Sequence, residues 1–262
     1  MGLTKLLRKI ATGSSEHYSD NNAEDSRQIN ITPKLANITV QHEGNEVVIE
    51  RNQDTHARIN DLFAKTSRPC PPFCVQAMSI AAGVETIAEL ELLDYLHQST
   101  LDDSILVVDS RIKEWVDMGT IPSAKHIPWT ALTLSNGTSL NDIISILRST
   151  FGVKIAEGVN AGEMSEAFAN GKISEKLDFS DAKTLVMFCN GSWCGQTPEA
   201  VLALLELSYP ANKIKYYRDG MQGWLALGLT TISTEKKSRR SKDIVEPTCQ
   251  RKPYKVVSPT TL

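Results

Sequence analysis

The chain has 262 residues, 41% of them hydrophobic, enough for one large domain or a medium domain with appendages. Its formal net charge of -3 is uneven: Ser233 to Leu262 carries eight Lys/Arg against three Asp/Glu, so an acidic body of -8 bears a basic tail, which argues against a nucleic-acid partner. No run approaches the roughly 20 apolar residues of a transmembrane helix, no secretory signal opens the chain, and the expectation is a cytoplasmic protein.

Residues 1–28 are polar and read as a flexible segment, after an opening in which Leu3, Leu6, Leu7 and Ile10 share a helical face beside Lys5, Arg8 and Lys9. A locally docked terminal helix and one lying on a membrane surface both fit that pattern. Residues 29–82 form a small N-terminal region. Ile38 to Val40 and Val47 to Glu50 flank a Gly-Asn turn and predict a β-hairpin, and a helix is expected over Thr55 to Lys65. Pro69, Pro71 and Pro72 then forbid helix and central strand alike, placing Cys70 and Cys74 on a stiff loop.

From Gly83 the signals become regular. Thr86 and Glu89 suit a capping box ahead of an amphipathic helix in "IAELELLDYL". "SILVVDS" and "KTLVMFC" are continuous apolar runs of strand length, of the kind buried on both faces of a parallel sheet. Helices are expected in "RIKEWVDMG", in "SLNDIISILRSTFG" up to Gly152 and in "TPEAVLALLELSYP", with a short extended piece at "KHIPW" and a further strand at "KIKYYRDG". This alternation predicts an α/β fold, a central mainly parallel sheet with helices on both faces, carrying the hairpin and helix as an N-terminal appendage. The tail 233–262 has no apolar periodicity and is expected to be disordered.

Five cysteines, an odd number, do not suggest a disulfide framework; free thiols, ligands or nucleophiles are expected. Cys189 is the first residue past a predicted strand end, where open α/β sheets place their working sites. Thr197 as N-cap, Pro198 and Glu199 then start a helix, leaving Asn190, Gly191, Ser192, Trp193, Cys194 and Gly195 as a loop, with Gly191 and Gly195 allowing tight curvature. Amides converging there, with a helix N-terminus, favour a thiolate, so Cys189 is the candidate nucleophile and the loop the candidate substrate cradle.

Gly83 to Thr230 resembles the rhodanese-like sulfurtransferases. The resemblance rests on Asp109-Ser-Arg111 with Glu114, on Gly119-Thr-Ile-Pro-Ser-Ala124, on Ile127-Pro128, on Cys189 opening the loop after the central strand, and on Asp219-Gly220 with Trp224. It implies a rhodanese-like domain over 83–232 with an insertion around 131–183, and sulfur transfer through a Cys189 persulfide. The implied partners are a small sulfane-sulfur donor such as thiosulfate and a thiol, cyanide or protein sulfur acceptor; no organic cofactor and no metal is implied. Asp109 and Arg111 are expected to support the site by ion pairing. Position 195, where related phosphatases carry an arginine, is glycine, which removes the bidentate phosphate clamp. Cys194, Cys70 and Cys74 are candidate relay or redox thiols; a four-thiolate metal site and plain structural roles are the other readings. A non-catalytic interaction or sulfur-carrier module is the rival to an enzyme.

Overall fold

The computed structural model describes residues 28–233; the expected N-terminal amphipathic helix and the tail beyond Ser233 lie outside the described residues. Strand β1 (Asn37–His42) pairs antiparallel with β2 (Asn45–Glu50) through a two-residue turn at Glu43 and Gly44, both at positive φ (49° and 80°), the turn that matches the twist of a hairpin. The helix expected over Thr55 to Lys65 is only α1 (Asp61–Ala64). Its first half is lost to local side-chain bonds: Asn52 Oδ1 accepts from the Asp54 amide at 3.0 Å and Asp54 Oδ1 from the His56 amide at 2.9 Å, holding turns in place of a helix until Asn60 caps Leu62.

The main sheet contains β3 (Glu85–Ile87), β4 (Ile105–Asp109), β5 (Lys125–His126), β8 (Thr184–Phe188) and β9 (Ile214–Tyr217). It is parallel throughout, in the order β3-β9-β8-β4-β5. The expected Thr86 capping box does not form. Thr86 lies in β3 with its hydroxyl donating to the Met78 carbonyl, and α2 (Glu89–Gln98) starts after Ala88, whose amide donates to Glu91 Oε2 at 3.2 Å. An apolar β-favouring edge strand took the residues that a capping pattern also fits.

Alternation along β4, β8 and β9 sends neighbouring residues to opposite faces. Val108, Leu185, Met187, Ile214 and Tyr216 pack against α4 (Leu140–Ser149) and α6 (Gln196–Glu206). Val107, Val186, Phe188 and Tyr217 pack against α2, α3 (Lys113–Asp117), α7 (Gly220–Ala226) and the hairpin. Both faces are covered, which is why the central strands read as unbroken apolar runs. On α2 alone Leu92, Leu93 and Leu96 are fully buried, each worth about 1.5–3 kcal/mol over exposure.

Residues 131–183 connect β5 to β8. They contain α4, a small antiparallel pair of β6 (Lys154–Ile155) and β7 (Leu177–Asp178), and α5 (Ala161–Ala169), and bury Ile143, Leu147, Phe151, Met164 and Ile173 in the core of the α4 and α6 face. Gly152 ends the α4 segment at φ +76°, where an added Cβ would lie 2.5 Å from the Asp181 carbonyl oxygen. Among the described residues no helix is long and apolar enough to cross a membrane.

The rim of the sheet is tied by one ion pair. Arg111 Nη2 meets Asp109 Oδ2 at 2.6 Å with both side chains about 1% exposed. The same guanidinium donates to the carbonyls of Trp115 (3.1 Å) and Gly119 (2.6 Å), and Thr120 Oγ1 donates to Asp109 Oδ2 at 2.7 Å. Arg111→Ala leaves a buried carboxylate without its countercharge and two carbonyls without their donors, and is expected to lower unfolding free energy by about 3–5 kcal/mol. Lys113→Ala, which removes an exposed pair with Asp117, should shift it by less than about 1 kcal/mol in the same denaturant titration.

Candidate active site

Strand β8 ends at Phe188, in register with Asp109 of β4 and Tyr217 of β9, so Cys189 emerges at the centre of the carboxyl rim. The loop Cys189–Gly195 leads into α6. Two amides of α7 hold it from below: Met221 N–H donates to the Cys189 carbonyl and Gln222 N–H to the Asn190 carbonyl, both at 2.9 Å. This approach requires Gly220, whose φ is +52° and whose hypothetical Cβ would lie 2.3 Å from Cys189 O and 2.8 Å from Gly191 N. Gly191, at φ +154°, also uses glycine's freedom. Gly195 does not: at φ −88° it is the N-cap of α6, and Thr197, expected as the cap, lies inside the helix.

That shift of the helix start gives Thr197 another task. Burial pushes the Cys189 thiol up, but hydrogen bonds from the Cys194 thiol, from the Thr197 hydroxyl and from the amides of Thr197 and Gly191 outweigh it and bring the pKa down to about 7. Cys194 goes the other way. Burial, the bond it gives to Cys189 and the negative charge there raise it well above the ordinary thiol value, against the amides of Asn190 and Gln196. At pH 7 Cys189 is therefore about half thiolate while Cys194 keeps its proton, and at higher pH the pair becomes one thiolate and one thiol. Ser110 stands behind Thr197, its hydroxyl 2.5 Å from Thr197 Oγ1 and 2.8 Å from the Phe188 carbonyl. Asn190 Nδ2 lies 3.8 Å from Cys194 Sγ, and its Oδ1 is 3.5 Å from Arg111 Nη1.

Over the loop lies the Pro-rich segment. Cys70 and Cys74 are joined in a disulfide, Cα atoms 4.7 Å apart, which corrects the expectation that the cysteines would stay unpaired: the turn through Pro71 and Pro72 brings them within bridging reach. Joined to each other, they are not thiolate ligands, and a relay through them starts with opening that bond. Phe73 packs edge-on against Trp193 at 5.6 Å between centroids, the Arg68 guanidinium stacks 3.6 Å over the Trp193 ring, and Gln76 N–H donates to the Ser192 carbonyl at 2.8 Å. Trp193 Nε1 donates to Gln222 Oε1 at 2.8 Å. Beneath this cover Cys189 is 1% and Cys194 4% exposed. Ser110, Gly220, Gln222, Arg68 and Phe73 were not anticipated as site residues. Only Ser110 and Gly220 had a sequence signal, inside Asp109-Ser-Arg111 and Asp219-Gly220, because the others act from outside those motifs.

The rhodanese-like domain family matches residues 91–227, which includes β4, β8, the Cys189 loop and α7. The chain belongs to the rhodanese-like domain family. A solved structure, that of the BH2092 protein from Bacillus halodurans, is similar at 17% identity over 57% of this chain and 77% of that one, with a TM-score of 0.33. No curated protein matches. In this rhodanese-like domain the loop geometry generates two expectations. Thr197→Val should move the Cys189 titration, followed by thiolate ultraviolet absorbance, to higher pH, because a methyl replaces a donor to the anion. Gly220→Ala should cost at least about 2 kcal/mol of stability and abolish the low-pH reactivity of Cys189, since the loop must shift to make room for the methyl group.

Proposed function

We propose that the protein is a sulfurtransferase that carries sulfane sulfur as a persulfide on Cys189. The Cys189 thiolate attacks the outer sulfur of thiosulfate or another persulfide donor, releases the remainder, and holds the sulfur until a thiol, cyanide or protein acceptor removes it. The observation that carries this reading is a fully buried thiol whose pKa is nonetheless lowered to about 7 by donors converging from the loop and the start of α6. Gly191 and Thr197 amides, with the Thr197 hydroxyl, offer the same donors to the anionic persulfide. The loop itself carries no cation, but Arg68 stacks over Trp193 and Arg218 donates to the Gln76 carbonyl at 2.9 Å, so two guanidinium groups flank it and can draw in an anionic donor.

The rival reading, a non-catalytic interaction or sulfur-carrier module, is favoured by one observation, the cover of Trp193, Phe73 and Arg68 that hides Cys189 from bulky acceptors. Intact-mass measurement after thiosulfate treatment, followed by cyanide, separates the readings. One added sulfur atom that is discharged as thiocyanate supports the enzyme, loading without discharge supports a carrier, and no loading leaves an interaction module. Cys189→Ser is expected to fold normally and to take up no sulfur; turnover at the wild-type rate would defeat the assignment.

The pH dependence follows from the thiolate requirement. Because Cys189 is reactive only when deprotonated and its pKa is about 7, the loading rate should climb through neutral pH, level off above about pH 8, and fall about tenfold per unit below pH 6. Stopped-flow loading at fixed thiosulfate checks this, and a midpoint at the ordinary thiol value would contradict it.

A further inference from the structure

The second buried thiol of the loop donates to the Cys189 thiolate, a task that a hydroxyl could also fill, so the choice of sulfur at position 194 is left to explain. Cys194 and Cys189 are the two free cysteines among the described residues, and both are closed off in the same small space. The loop folds back so that Cys189 Sγ reaches the Cys194 carbonyl at 3.2 Å, which sets residue 194 directly against the nucleophile. Asn190 Nδ2 faces Cys194 Sγ, and Asn190 Oδ1 is in turn near Arg111, so the second sulfur is oriented by the buried ion-pair network and not left free to rotate. An external thiol has to enter a site in which Cys189 is only 1% exposed. Cys194 is already inside.

We propose that Cys194 resolves the Cys189 persulfide: its sulfur attacks Cys189 Sγ, a disulfide between Cys189 and Cys194 forms, the bond from Cys189 Sγ to the outer sulfur breaks, and that sulfur leaves as hydrosulfide carrying the Cys194 proton. The inference rests on the sulfurtransferase reading of the same site. It makes the protein a sulfide-releasing reductase of sulfane sulfur, in which the two electrons come from the loop thiols and are restored by an external dithiol that reduces the disulfide and becomes a disulfide itself. The contact chooses the inner sulfur, because Cys194 lies against Cys189 Sγ, the atom that becomes internal once sulfur is loaded. Its retained proton is then at hand for the leaving group, which departs more readily as hydrosulfide than as a bare dianion. The elevated affinity of Cys194 for that proton accounts for a thiol that waits through loading without competing for donor.

A single round with the full-length protein tests this. Reduced, desalted protein, with Cys70 and Cys74 replaced by serine so that their disulfide supplies no thiols, receives thiosulfate with no thiol added, and sulfite, sulfide and intact mass are measured, with peptide mapping of any crosslink. The expected result is about one equivalent each of sulfite and sulfide per chain, and a disulfide joining the Cys189 and Cys194 peptide segments. Cys194→Ser keeps a hydroxyl donor to Cys189 and Cys194→Ala loses it, so both should load more slowly, Ala the more, yet at completion release sulfite, keep one added sulfur atom and yield no sulfide. Protein keeping Cys194 that stays one sulfur atom heavier and releases sulfide only after an external thiol is added overturns the resolving role while leaving the sulfurtransferase reading intact. Absence of sulfite from this protein and both variants defeats that reading and the inference together. Should the variants fail to fold, the sulfide yield and crosslink of the protein keeping Cys194 decide alone.

Discussion

The site depends on two hydrogen bonds that cross between neighbouring strand ends, from the amides of Met221 and Gln222 to the carbonyls of Cys189 and Asn190. They fix the first two residues of the loop and turn the following amides inward. The requirement falls on one residue, Gly220, since no side chain fits between the start of α7 and the Cys189 carbonyl. Register supplies the rest: parallel pairing of β4, β8 and β9 brings Asp109, Phe188 and Tyr217 level, so the loops after all three strands meet at one rim.

A second layer is built on that rim from outside the matched family region. Hairpin, α1 and the Pro-rich segment all precede residue 91, and the Pro-rich segment meets the site at Ser192, through the Gln76 amide, and at Trp193. Its ring receives Phe73 and Arg68 on one side and lies 6.2 Å from Trp115 on another, while its indole N–H is anchored on Gln222. Gln222 thereby serves two layers, since its amide holds the loop and its side chain also donates to the Phe63 carbonyl at 2.7 Å. The N-terminal region is thus a cover for the site and not a separate ornament, and the disulfide between Cys70 and Cys74 closes the turn that presents Phe73.

The sequence made the strands legible because parallel strands buried on both faces have no polar alternation to confuse the reading, and Cys189 followed from its place at the end of one of them. Three features escaped for physical reasons. β3 is three residues long and contains a threonine and a glutamate, so a helix cap looked as good as an edge strand. The helix expected from Thr55 lost its first turns to Asn52 and Asp54, whose side chains compete with helical hydrogen bonding in a way that periodicity does not register. The donors to the thiolate were half visible: Gly191 lies in the loop, but Thr197 also fits the cap position by its sequence, and its hydroxyl serves the sulfur only because the helix begins two residues earlier. Arg68 and Phe73 lie more than a hundred positions from Cys189, a distance no local pattern spans.

The proton count of the buried hydroxyls shows how far the thiolate reaches into the fold. Ser110 and Thr197 each own one proton, and their oxygens are 2.5 Å apart. When Cys189 is a neutral thiol it donates to the Cys194 carbonyl, Thr197 can donate to Ser110, and Ser110 donates to the Phe188 carbonyl. When Cys189 is a thiolate, Thr197 turns its proton to the sulfur and must accept from Ser110, which gives up Phe188. That carbonyl is not orphaned, because the Ser110 amide still donates to it at 3.1 Å. Both charge states therefore leave the two hydroxyls and the Phe188 carbonyl partnered, and for these groups the change costs two hydroxyl rotations; the Cys194 carbonyl is the acceptor that loses its donor when Cys189 ionises. A nucleophile on a strand end can be fully buried and still ionise near neutrality only if its neighbours can reverse direction in this way, and the serine between Asp109 and Arg111 is what allows it.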